Sequence, residues 1–186
     1  MKTTMILKKL LFWIKFKRKM KMCLSYLDPF NTMVSGPGGI EIQENVYVAT
    51  GAWLASMGGG SELTLIIEKG ASIGRFAHII STKHVHIHKS ALLAEHVYIS
   101  DNLHGYSNIN VPIKDQPLTQ LRDVNIGEGS WIGENVCIIG ASIGKNSVVG
   151  ANSVVTHDIP DYCVAVGIPA KVIKKYNLDS CLWEKV

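Results

Sequence analysis

Within residues 100–123, where no short repeat can be read, a single histidine stands in the string ISDNLHG at position 104. Imidazole accepts a proton near neutral pH, so a histidine displayed on a long irregular segment is a candidate general base for a hydroxyl that must lose its proton as it attacks. Asp101 is near enough in sequence to His104 to orient the ring or to touch the attacking molecule. His84, His86 and His88 alternate, and residues two apart share one face of a strand, a spacing that metal sites also use. The expectation here is plainer: polar residues on an outer face, Val85 and Ile87 turned inward, and no metal. The four cysteines, Cys23, Cys137, Cys163 and Cys181, have none of the short spacings of metal or redox motifs and read as reduced thiols.

A six-residue period sets the framework around these groups. From Ile126 the chain reads IGEGSW and IGENVC, then IGKNSV from Ile143 and VGANSV from Val149. The same pattern is degraded but visible in IQENVY at Ile42, IEKGAS at Ile67, IGRFAH at Ile73, IHKSAL at Ile87 and LAEHVY at Leu93. A period of six fits neither a helix of 3.6 residues per turn nor uninterrupted strand alternation. It fits a short strand plus a corner, three of which make one triangular coil. Ile126, Ile132, Ile143, Val149 and Val155 then line the interior, with Ser130, Ser147 and Ser153 beside the corners. Gly127, Gly133, Gly144 and Gly150 supply either close approach or unusual backbone angles. About five coils are countable. Three departures interrupt them: an insertion at residues 55–63, the stretch 100–123, and a step of five from Ile138 to Ile143. Beyond Val155 the hexads give way to THDIPDYCVAVGIPAKVIKKY, and a short helix over residues 177–186 is expected to close the stack.

Charge is distributed unevenly. Eight of the nineteen Lys and Arg residues lie between Lys2 and Lys21, and no acid precedes Asp28, so the remainder is net negative and nucleic acid is not an expected partner. Residues 1–25 mix Ile6, Leu7, Leu10, Leu11, Phe12, Trp13, Ile14 and Phe16 with lysines. The apolar run is too short to span a bilayer, and it lacks the unbroken core of a secretory signal. A basic amphipathic helix is expected there, packed on the protein or lying on the anionic inner face of the membrane through residues 1–22.

The run from Val124 to Tyr176, with its DIPDYCVAVGIPAKVIKKY ending, resembles the left-handed β-helix acyltransferases. Together with ISDNLHG it is most similar to bacterial O-acetyltransferases of lipopolysaccharide and capsule biosynthesis. The resemblance implies an all-β, left-handed parallel β-helix over residues 26–176, a cytoplasmic homotrimer, acetyl-CoA as donor and a saccharide acceptor. It implies His104 as base, the backbone N–H of Glu134 as oxyanion donor, and Trp131 flanking the acceptor and pantetheine region. Ala151, Thr156, His157 and Lys174 are the implied coenzyme A contacts, with His157 standing where relatives carry Lys. In the loop, Gln116 or Arg122 is placed to meet the sugar.

Other readings share the scaffold. Amino-sugar N-acetylation or serine O-acetylation would use the same donor site. A γ-class carbonic anhydrase would need a pair of histidines five residues apart, which the seven histidines here do not provide. A purely structural solenoid would have no use for the loop histidine or for GIPAKV.

Overall fold

The computed structural model describes residues 20–22, 26–28, 31–60 and 62–186. The chain winds as a parallel β-solenoid of about six turns with almost no helix. The first turn is β1 (Met20–Met22), β2 (Tyr26–Leu27) and β3 (Met33–Ser35). The second is β4 (Gly39–Ile42), β5 (Tyr47–Val48) and β6 (Trp53–Ser56). The third is β7 (Leu63–Ile67), β8 (Ser72–Ile73) and β9 (His78–Ser81), and the fourth β10 (Val85–Ile87), β11 (Leu92–Leu93) and β12 (Tyr98–Ser100). An arm of two antiparallel strands, β13 (Asn102–His104) and β14 (Leu118–Gln120), then leaves the stack. Winding resumes with β15 (Val124–Ile126), β16 (Trp131–Ile132) and β17 (Cys137–Ile139), then β18 (Val148–Val149) and β19 (Val154–Val155). The end is β20 (Cys163–Gly167), β21 (Ala170–Asn177) and β22 (Leu182–Lys185).

Equivalent strands pair in parallel into three faces: β1-β4-β7-β10-β15 (face A), β2-β5-β8-β11-β16-β18-β20 (face B) and β3-β6-β9-β12-β17-β19 (face C). Each face turns an aliphatic column inward, and face A adds a second through Ile40, Leu65, Val85 and Val124. Ile42, Ile67, Ile87, Ile126, Ile143 and Ile159 stack on face A. Val48, Ile73, Leu93, Ile132 and Val149 do so on face B, and Leu54, Ile79, Ile99, Ile138 and Val155 on face C. All of these are buried, and burying each such side chain contributes about 2 kcal/mol. The column residues expected from the hexads are therefore correct, and the stack has one turn more than the hexads show because β1 to β3 carry none of their text.

The corner glycines serve close approach. A Cβ on Gly133 would lie 2.6 Å from the nitrogen of Ala151, and one on Gly127 2.6 Å from the carbonyl carbon of Gly144. Positive φ falls instead two residues later, on Asn135 (57°), Asn146 (47°) and Asn152 (60°), a residue type that tolerates the left-handed region. Ser147 and Ser153 are buried beside corners and tie successive turns through Pro160 O (2.7 Å) and the N–H of Gly167 (3.0 Å).

Two expectations need correction or restriction. The C-terminal helix is absent: β22 pairs antiparallel with β21, and Tyr176 packs edge-on against Trp183. The Asn177 side chain accepts from the N–H groups of Asp179 (2.9 Å) and Ser180 (3.2 Å), and this local turn outcompetes a helical start in a segment rich in Asn, Asp and Ser. The basic helix expected at the N-terminus falls on residues outside the described ones, and residues 20–22 of that segment form the strand β1.

Candidate active site

The arm leaves at the edge between faces C and A, where the chain would otherwise pass directly from β12 to β15. Asp101 is fully buried at its base. The carboxylate accepts from three consecutive backbone N–H groups, Thr82 (2.8 and 3.1 Å), Lys83 (2.8 Å) and His84 (2.9 Å), and from the Thr82 hydroxyl (2.9 Å) and Asn102 Nδ2 (2.8 Å). Burial by itself would push its pKa up. The hydrogen bonds from Asn102 and from the three amides together outweigh that and hold the carboxyl below its ordinary value. Asp101 therefore does not orient His104 or reach an acceptor: its oxygens are committed to the 82–84 corner, and its role is to clamp the arm to the preceding turn. Ser100 adds a second clamp, its hydroxyl donating to Asn102 O at 2.7 Å.

His104 ends β13, paired with Leu118, and its ring is exposed. Beyond it the arm braces itself. Gln116 donates to the carbonyls of Asn108 (2.9 Å) and Val111 (2.8 Å) and accepts from the N–H of Asn108 (3.2 Å), bracing the arm from within. Arg122 is likewise engaged, with Nε donating to Gly140 O (3.0 Å) and the guanidinium facing Asp158 (3.3 Å). The step of five after Ile138 accounts for this arrangement. Gly140 has φ of 55°, receives Arg122, donates to Ser100 O (2.8 Å), and lies so close to Leu121 that a Cβ would sit 2.7 Å from the Leu121 Cβ. The missing residue is the space through which the arm returns. Sequence reasoning noticed the short step but did not connect it to the loop.

A second group gathers at the edge between faces B and C. Trp131 is about half exposed on face B, between Leu92 and Val148 in the neighbouring strands. Glu134 and Ala151 occupy equivalent corner positions one turn apart, linked by the Asn152 N–H to the Glu134 carbonyl (2.8 Å). Among the described residues the N–H groups of Arg75, Glu95, Glu134 and Ala151 at this edge donate to nothing. At the edge between faces A and B three of the equivalent amides, those of Lys69, Lys89 and Lys145, are filled by side chains of Gln43 (3.2 Å), Glu68 (2.8 Å) and Asp161 (2.7 Å), while those of Glu44 and Glu128 are unused among the described residues. The B–C edge thus presents a row of unused donors beside an exposed indole, which suits a ligand carrying amide carbonyls or a developing oxyanion.

Thr156 and His157 lie at the C–A edge, two turns beyond the arm, with Thr156 Oγ1 3.0 Å from His157 Nδ1. Lys174 is exposed on β21 opposite Val164. Within one chain, then, His104, Thr156 and His157 share one edge, and Trp131, Glu134 and Ala151 the other or its flank. Face C lies between them, about 15 Å of strand. No hydrogen bond or ion pair among the described residues joins His104 to Glu134.

The family model for the hexapeptide repeat of succinyl-transferase matches residues 123–157. The chain is 37% identical over 164 residues to the putative lipopolysaccharide biosynthesis O-acetyl transferase WbbJ of Escherichia coli K12, covering 84% of this chain and 82% of that one. It is also 40% identical over 91 residues to the galactoside O-acetyltransferase of the same organism, 44% of this chain and 45% of that one. Among solved structures it overlays a variant of AntD, an N-acyltransferase from Bacillus cereus in complex with dTDP-4-amino-4,6-dideoxyglucose and coenzyme A. The TM-score is 0.71 at 18% identity, with 90% and 89% of the two chains covered. That overlay carries the left-handed parallel β-helix fold.

Proposed function

Because the chain belongs to the hexapeptide-repeat acyltransferases, we propose that it moves an acetyl group from acetyl-CoA to a sugar hydroxyl in the biosynthesis of lipopolysaccharide or another surface polysaccharide. The observation that carries the catalytic assignment is the exposed ring of His104 on an arm clamped at its base by Asp101 and at its return by Gly140.

In this reading His104 takes the proton of the acceptor hydroxyl as its oxygen bonds to the thioester carbonyl carbon. The negative charge that develops on the carbonyl oxygen meets the unused Glu134 N–H, a donor of a type worth about 3 kcal/mol in a dry site. The carbon–sulfur bond then breaks, and the proton held by His104 passes to the departing thiolate. The row of free amides at the B–C edge fits the amides of a pantetheine chain, with Ala151 hydrogen-bonding it and Trp131 flanking it, Thr156 and His157 reaching it from the C–A edge of the adjoining subunit, and Lys174 and His157 near its phosphates. His104 and Glu134 sit on opposite edges of face C, so the complete site needs the His104 arm of one subunit beside the Glu134 corner of the next. A homotrimer supplies that pairing, and light scattering of the purified chain gives its mass directly. We place the protein in the cytoplasm.

The acceptor is settled by mass-shift assays with acetyl-CoA against a panel of nucleotide-linked, lipid-linked and free saccharides. Acetyl esters that form only on hydroxyl acceptors support the proposal. Transfer only to amines would replace it with N-acylation, the chemistry named for AntD and its bound amino sugar.

A further inference from the structure

On the outer side of face A, three side chains with no part in the proposed transfer converge. The alternation along β10 buries Val85 and Ile87 and turns His86 and His88 outward. The register sets Ile67 beside Ile87, so Glu68, one residue past β7, lies across from His88 and diagonal to His86. Glu68 Oε1 is 2.8 Å from His86 Nε2 and 3.6 Å from His88 Nδ1, and the two imidazoles stack with centroids 3.9 Å apart. One ligand atom from each residue lies within 4.8 Å of the others. A tetrahedral ion bound at about 2.0–2.1 Å holds its ligand atoms roughly 3.4 Å apart, a value that the two Glu68 distances bracket.

We propose that Glu68, His86 and His88 form a binding site for a divalent transition ion of the zinc class, completed by water and tying the third turn of the solenoid to the fourth. Two imidazole nitrogens and one carboxylate oxygen are the donor set that such ions favour over Ca2+ or Mg2+. The ligands are also oriented from behind. The second Glu68 oxygen accepts from the Lys89 N–H at 2.8 Å, which aims Oε1 at the histidines. His88 Nε2 lies 3.3 Å from Asn125 Oδ1, so a proton on Nε2 donated to that oxygen leaves Nδ1 free to bind the ion. The site stands apart from the transfer reaction and does not depend on it.

The full-length protein, freed of metal by a chelator and exchanged into chelator-free buffer, is titrated with Zn2+ by calorimetry and with Co2+ by visible absorption. The expected result is one Zn2+ per chain, a melting temperature raised by about 5 °C at hundredfold excess over Kd, and Co2+ bands of a low-symmetry site. His86→Ala, His88→Gln and Glu68→Gln each weaken binding at least tenfold. His96→Ala, which removes the histidine of the more exposed Glu95, His96 and Glu134 group, leaves it unchanged. Absence of Zn2+ binding and of Co2+ bands in the unmutated protein overturns the proposal whatever the variants do, as does binding that survives His86→Ala and His88→Gln.

Discussion

The carboxylate of Asp101 grips Thr82 three times over, through the backbone N–H at 2.8 and 3.1 Å and the hydroxyl at 2.9 Å. Replacing it by Ala leaves the half-buried amides of Thr82, Lys83 and His84 without their acceptor, at a cost of about 3 kcal/mol. Asp101→Ala is expected to lower stability by that amount in urea titrations. It is also expected to lower turnover more than it raises the KM for acetyl-CoA, because what loosens is the base of the arm that carries His104.

The same contact gives a pH signature. The native pKa of Asp101 is held below the unfolded value of about 3.9, so its ionisation contributes stability that is fully present above that value and lost as pH falls through the native one. Asp101→Asn has no such dependence. The gap in unfolding free energy between the two proteins is expected to be constant from about pH 7 to 5 and to narrow below about pH 4, and a gap that widens on acidification would contradict the assignment.

Gly140→Ala tests the returning arm. The position has φ of 55° and no room beside Leu121, so a methyl group there costs about 1–3 kcal/mol and displaces residues 121–123, which follow β14. Faster hydrogen exchange is expected in residues 118–123 while the turns on either side remain protected.

Lys174 stands exposed on β21 and is assigned to a phosphate of coenzyme A. Lys174→Ala is expected to raise the KM for acetyl-CoA about fivefold at low salt with little change in kcat, and the effect should shrink in about 0.5 M salt, where exposed charges are screened. An equal effect at both salt concentrations would place the lysine elsewhere.

Much of this architecture was legible in the sequence because the hexad is a one-dimensional code: each aliphatic marks a face, and Ile126, Ile132 and Ile138 fall on three different ones. His104 was legible for the opposite reason, as chemistry standing outside the repeat. What the sequence hid was long-range pairing. Asp101 looked like a partner for His104 three residues away, yet its acceptors' worth of hydrogen bonds goes to a corner almost twenty residues back. Glu68 lies on the turn before His86 and His88, so histidine spacing alone did not reveal the cluster. The tail read as a helix because its turn depends on one side chain, Asn177, capping two amides.

In the proposed reaction the imidazole of His104 removes the acceptor's proton. The decisive comparison is single-turnover acetyl transfer at saturating acetyl-CoA by the unmutated protein and by His104→Ala at matched mass and melting temperature. The rate is expected to fall by about a hundredfold or more; transfer at the full rate in the variant would contradict it.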